Sequence, residues 1–195
     1  MGAEAGDALA IFVFRPPQVA GSLDASHDDT GLFAGIWGSS AGPGNEVDVY
    51  AGWAKTFGDF GVKAGYYKYT YPYATSTTNF DEIGLNLTFS GAFVDYYMGT
   101  GEVGSTGVDN KNNYVDFGYT MDKVTAKVGM TMNDAANTDY THLDVTYAYN
   151  KNLSFTLSGI VDADPGATLS DLVTAADQNQ DPLFVVSYTL PLDLK

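Results

Sequence analysis

The chain has no cysteine, which excludes a disulfide framework and any thiolate metal site. Basic residues are scarce: 9 Lys and Arg stand against 24 Asp and Glu, for a formal net charge of -15. No basic groove can neutralise phosphates, so nucleic acid is excluded as a partner. Docking on anionic lipid through a polybasic patch is disfavoured for the same reason. His27 and His142 are the only histidines, too few for a zinc cluster or a His-Glu-x-x-His run. No apolar stretch approaches the roughly 18 residues of a membrane-spanning helix. Such a chain crosses a membrane as strands or not at all. Residues 1–7 have neither a basic n-region nor an apolar core, so they read as a mature or trimmed, flexible lead-in.

What is present points to strands. The 195 residues include 14 Tyr, 11 Phe and 22 Gly, and only 17% are charged. That composition favours strands and tight turns, in a length that suits one all-β barrel domain. Apolar and polar residues alternate with a period of two. Ile83, Leu85, Leu87 and Phe89 share one face, with Gly84, Asn86, Thr88 and Ser90 on the other. Val115, Phe117, Tyr119 and Met121 repeat the pattern, as do Leu143, Val145, Tyr147 and Tyr149, and then Leu153, Phe155 and Leu157. A helix would scatter each set around its circumference, whereas a strand sorts it.

Taken in order, such segments predict about twelve strands, near 8–15, 19–27, 31–39, 46–57, 61–71, 81–90, 92–100, 113–122, 124–132, 140–150, 153–161 and 183–191. Most are long enough for a tilted strand that crosses a bilayer. Short turns at 27–31, 58–61, 90–91, 122–123 and 150–152 alternate with longer connections at 40–45, 72–80, 101–112, 133–139 and 162–182. That rhythm is the signature of an antiparallel up-and-down barrel of outer-membrane type. The connection at Pro16-Pro17-Gln18 is short where the rhythm calls for a long one. In the 162–182 loop, Leu169, Leu172 and Val173 have helix-compatible spacing, which leaves open a short helix at the barrel mouth or a plain polar loop.

Alternation alone does not say which face points inward. Three features favour polar inside and apolar outside: a polar face of small uncharged residues, charges gathered in loops, and aromatics at strand ends. The expected interfacial belt comprises Trp37, Trp53, Tyr66, Tyr69, Tyr71, Tyr73, Tyr96, Tyr147 and Tyr149. On this orientation Asp24, Asp48, Asp95, Asp116 and Asp144 line the lumen, with Lys63, Lys127 and His142. The carboxylate excess predicts a cation-leaning pore. The other reading is that these groups pair across the bore and plug it. A soluble lipocalin-like barrel is the rival for the whole chain, with fewer strands than are counted here.

No catalytic machinery stands out. Ser26-His27-Asp28 is merely sequential, and adjacent residues on a strand or turn do not face one another. No glycine run forms a phosphate loop, and no calcium loop is present. The reading is of a protein with no enzymatic activity, no metal and no cofactor.

The stretch Gly31-Leu32-Phe33-Ala34-Gly35-Ile36-Trp37-Gly38-Ser39, followed by Val47-Asp48-Val49-Tyr50-Ala51-Gly52-Trp53, resembles the TorF family of bacterial porins. The similarity continues through Phe57-Gly58-Asp59-Phe60-Gly61-Val62 and Gly65-Tyr66-Tyr67-Lys68-Tyr69-Thr70-Tyr71-Pro72, and more weakly in Tyr140-Thr141-His142-Leu143-Asp144-Val145. The resemblance implies a Gram-negative outer-membrane barrel that passes small solutes, and it brings no set of functional residues. Pro16-Pro17 stands where the family usually has glycine, and the last residues lack the terminal aromatic usual in outer-membrane proteins. The implied partners are the lipid bilayer and small solutes, with homo-oligomerisation open. The alternative function is a structural or self-associating barrel with acidic partner-binding loops and no open pore.

Overall fold

The computed structural model describes residues 3–5, 8–13, 18–40, 45–73, 79–133, 139–163 and 182–190. Its strands are β1 (Ala3–Ala5), β2 (Ala8–Val13), β3 (Gln18–His27), β4 (Leu32–Ser39), β5 (Glu46–Phe57), β6 (Phe60–Thr70), β7 (Phe80–Phe89), β8 (Ala92–Thr100), β9 (Asn112–Met121), β10 (Val124–Asn133), β11 (Tyr140–Ala148), β12 (Leu153–Ala163) and β13 (Leu183–Leu190). From β3 to β13 each strand pairs antiparallel with the next, so eleven strands form one up-and-down sheet. That sheet by itself is open between β3 and β13. β2 lies across the gap, paired to β13 from Val13↔Val185 to Ala8↔Leu190 and to β3 through Leu9↔Ala20, Ala10↔Val19 and Ile11↔Gln18. Ahead of it, in the expected lead-in, β1 pairs with the same strand through Ala3↔Ala25, Glu4↔Asp24 and Ala5↔Leu23.

The turns follow from local chemistry. Ser90 and Gly91 join β7 to β8 with φ of 46° and 90°. Both central residues are thus left-handed, as a two-residue hairpin that matches strand twist requires. Gly58 and Asp122 supply positive φ in two other tight turns of the same rim. On the opposite rim the 101–111 connection folds back onto the sheet: Asn110 donates to the Asp81 carbonyl at 2.7 Å. The helix or loop expected within 162–182, the Pro16-Pro17 connection and the last residues after Leu190 lie outside the described residues.

Burial is inverted relative to a soluble domain. Among the described residues the one buried apolar side chain is Ala20, whereas Ser39, Asp48, Asn110 and Asp116 are buried polar groups. Ile83, Leu85 and Phe89 on β7, Val94, Tyr96 and Met98 on β8, and Leu143, Val145 and Tyr147 on β11 are exposed on the outer face. The largest apolar patch on a typical soluble monomer is a few hundred Å², whereas here exposed apolar side chains recur on one face of strand after strand. The alternation therefore resolves as apolar outside and polar inside.

Candidate functional site

Antiparallel partners share a face, so the strand register assigns each inward side chain. Asp48 pairs with Trp37 and Tyr69, Lys63 with Ala54 and Asn86, and Asp95 with Asn86 and Asp116. Asp24 pairs with Gly35, and Lys127 with Gly118 and Asp144. His142 is two residues from Asp144 on β11, on the same face. All eight residues expected in the lumen thus share one face of the sheet, the polar one.

They engage their neighbours along the wall. Lys127 Nζ on β10 lies 3.3 Å from Asp116 on β9 and 3.6 Å from Asp144 on β11. His142 Nδ1 is 3.2 Å from Asp144, and its Nε2 is 2.9 Å from the Tyr114 hydroxyl. Tyr114 in turn donates to Asp116 at 3.1 Å. Gly129 sits beneath this knot, where a Cβ would strike His142 and Tyr114. Asn86 donates to Asp95 across β7 and β8. A cavity of about 460 Å³ borders the knot, lined by Asp95, Asp116, Lys127, Asp144 and threonines of β10 to β12.

A second group occupies β3 to β8. The Tyr50 hydroxyl crosses β4 to donate to Asp24 at 2.5 Å. It passes over Gly35, where any Cβ would collide with the ring and with the Asp24 carboxylate. Tyr50, Tyr67 and Tyr97 form a row with successive ring centroids 5.7 Å apart. Lys63 lies 4.6 Å from the centroid of the Phe33 ring, a cation–π contact. Nearer the long-loop rim Tyr69 stacks on Phe80 at 4.4 Å, and Tyr71 lies 6.3 Å from the same ring. Tyr71 donates to Glu46, and Tyr69 to Glu82.

Three belt assignments need correction. Trp37, Tyr69 and Tyr71 are inward: Trp37 and Tyr69 flank Asp48 in register, and Tyr71 shares the parity of Tyr69. The cause is that inward faces carry aromatics as well, Phe33 and Trp37 on β4 and Tyr67 and Tyr69 on β6, so an aromatic at a strand end does not itself mark the lipid side. Trp53, Tyr66, Tyr96, Tyr147 and Tyr149 are exposed on the outer side, while Tyr73 sits in the turn beyond β6. Glu46, Glu82, Tyr50, Tyr67, Tyr97 and Tyr114 escaped the sequence reading. Their signal was there, since Glu82 has the parity of Gly84 and Asn86, and Glu46 that of Asp48.

A family model described as a bacterial protein of unknown function, Gcw_chp, matches residues 15–189. The chain belongs to the Gcw_chp family. No curated protein sequence matches it. Among solved structures it resembles outer membrane phospholipase A from Escherichia coli, at 10% identity and a TM-score of 0.54. The match covers 97% of this chain and 90% of that one. It also resembles the NanC porin, at 10% identity and a TM-score of 0.53, covering 97% of this chain and all of the other. The Salmonella typhi phospholipase dimer matches at 11% identity, with a TM-score of 0.52 and coverage of 97% and 91%. At such identities the likeness concerns the fold: this Gcw_chp member is built like the outer-membrane β-barrels.

Proposed function

We propose that this chain is a porin-like barrel of the Gram-negative outer membrane that passes small solutes and favours cations. One observation carries the reading: the described inward wall holds Asp24, Glu46, Asp48, Glu82, Asp95, Asp116 and Asp144 against only Lys63 and Lys127. The ion pairs run between neighbouring strands, so they tie the wall rather than bridge the bore. An excess of fixed carboxylates facing water gives a negative potential that draws cations. The resemblance to the TorF porins and the apolar outer face support the same reading.

The fold is shared with both an enzyme and a porin, and no reaction is proposed. His142 is held between Tyr114 and Asp144 in the knot, and His27 Nδ1 meets the Thr30 hydroxyl at 3.2 Å within a turn. Among the described residues His27 has no third, orienting group, and the Tyr114 hydroxyl already donates to Asp116, so His142 Nε2 meets it as a donor and not as a base. The test is conductance in planar bilayers under a salt gradient. The expected result is discrete current with a reversal potential of cation preference. Folded protein that carries no current, even after removal of residues 164–181, would hand the case to the structural, self-associating barrel.

A further inference from the structure

We propose that Glu46, Asp48 and Glu82 form a lumen subsite for a linear organic polycation, a di- or polyamine, with Tyr69, Tyr71 and Phe80 as its apolar wall. The three carboxylates share the inward face of β5 and β7. Glu46 and Glu82 both act electrostatically on Asp48. Asp48 is only 7% exposed, and its Oδ1 is fully buried with no hydrogen-bond partner. A buried carboxylate oxygen left unmatched costs free energy until something donates to it. No ammonium of the described chain does so: Lys68, the nearest in sequence on β6, faces outward and pairs with Asp81 at 3.2 Å.

The spacing chooses the class of ligand. Glu46 and Asp48 are two residues apart on one strand, roughly 7 Å along it, and Glu82 is two strands away, roughly 10 Å across the sheet. The described residues contain no acidic group tight enough to hold a metal ion. Separated carboxylates with stacked aromatics between them instead suit several ammonium groups joined by methylene, which the rings cover and attract by cation–π contact. The approach is acidic as well. Among the described residues, the connections of that rim carry Glu102, Asp109 and Asp139 against one cation, Lys111.

The subsite rests on the porin-like reading only in requiring a lumen open to water. The test is calorimetric titration of the detergent-folded chain with spermidine at about 0.15 M salt, where exposed charges are largely screened. Saturable binding is expected, weakened about tenfold or more in Asp48→Asn and in Glu82→Gln. Asp59→Asn, in a turn of the opposite rim, should titrate as wild type. Circular dichroism confirms folding, and Glu46→Gln serves if one of the others does not fold. No saturable binding, or unchanged binding in the folded variants, overturns the proposal. Displacement of spermidine by equimolar Mg²⁺ overturns the organic class. Calorimetry needs no current, so binding without conductance refutes passage, and conductance without binding refutes the subsite.

Discussion

An arginine moved along the outer face of β7 separates a membrane barrel from a soluble one. Ile83, Leu85, Leu87 and Phe89 share that face, and their cross-strand partners on β6 and β8 include Tyr66, Ala64, Tyr96 and Val94. Leu85 is mid-strand and 39% exposed, whereas Phe89 is 60% exposed beside the Ser90-Gly91 turn. In hydrocarbon an outward arginine costs about 2–4 kcal/mol at the bilayer midplane and about 0–1 near the interface. Leu85→Arg should therefore lower the folding equilibrium constant by roughly 30-fold to 1,000-fold, and Phe89→Arg by less than about sixfold. The assay is denaturant unfolding from phospholipid vesicles, followed by the fluorescence of Trp37 and Trp53. Both variants lose a comparable aliphatic or aromatic contact, so the difference between them reports depth. Equal effects at the two positions, or no cost at Leu85, would refute the lipid-facing assignment. A soluble barrel predicts that both arginines improve solubility.

Lys127→Met leaves Asp116 and Asp144 facing each other without their shared ammonium; stability should fall by about 1–3 kcal/mol, less than for a fully dry pair because the lumen admits water. The same variant should shift the reversal potential further toward cations, measured in the same bilayers. Gly35→Leu should displace Tyr50 from Asp24 and destabilise the barrel by about 1–3 kcal/mol, and the cost should shrink in a Tyr50→Ala background, as a double-mutant cycle reads. Deleting residues 3–13 removes the strand that joins β3 to β13 and leaves two unpaired edges; light scattering after refolding should report aggregates, and a dispersed monomer would contradict the pairing.

Much of this architecture was legible because the period-two pattern is clean wherever one face meets lipid. Ile83 to Phe89 and Val115 to Met121 declare their strands and their parity at once. The turns were equally plain at Ser90-Gly91, where only left-handed residues close the hairpin. The faces were harder to assign wherever both are aromatic. In β6 the run Gly65-Tyr66-Tyr67-Lys68-Tyr69 alternates nothing, so hydropathy cannot tell Tyr66, which is outside, from Tyr67 and Tyr69, which are inside. Only the register against Asp48 and Glu82 decides. Pairing itself was invisible for a different reason. Tyr114 reaches His142 across β10, and Tyr50 reaches Asp24 across β4; both contacts depend on a glycine in the intervening strand, a steric fact that composition does not carry.

Those two bridges bear on whether the bore is blocked. A plug needs side chains that meet from opposite walls, whereas each bridge here skips a single strand and lies flat over its glycine. The β9–β11 knot is balanced in part by Lys127, and Glu46, Asp48 and Glu82 on β5 and β7 have no such cation among the described residues. Neutralising the balanced side should therefore cost stability, and neutralising the unbalanced side should cost little stability while changing what the lumen attracts. Asp116→Asn and Asp48→Asn make that comparison between residues exposed only 4% and 7%. Equal burial with opposite outcomes would show that the partner, and not the depth, decides whether an inward carboxylate holds the wall or serves the solute.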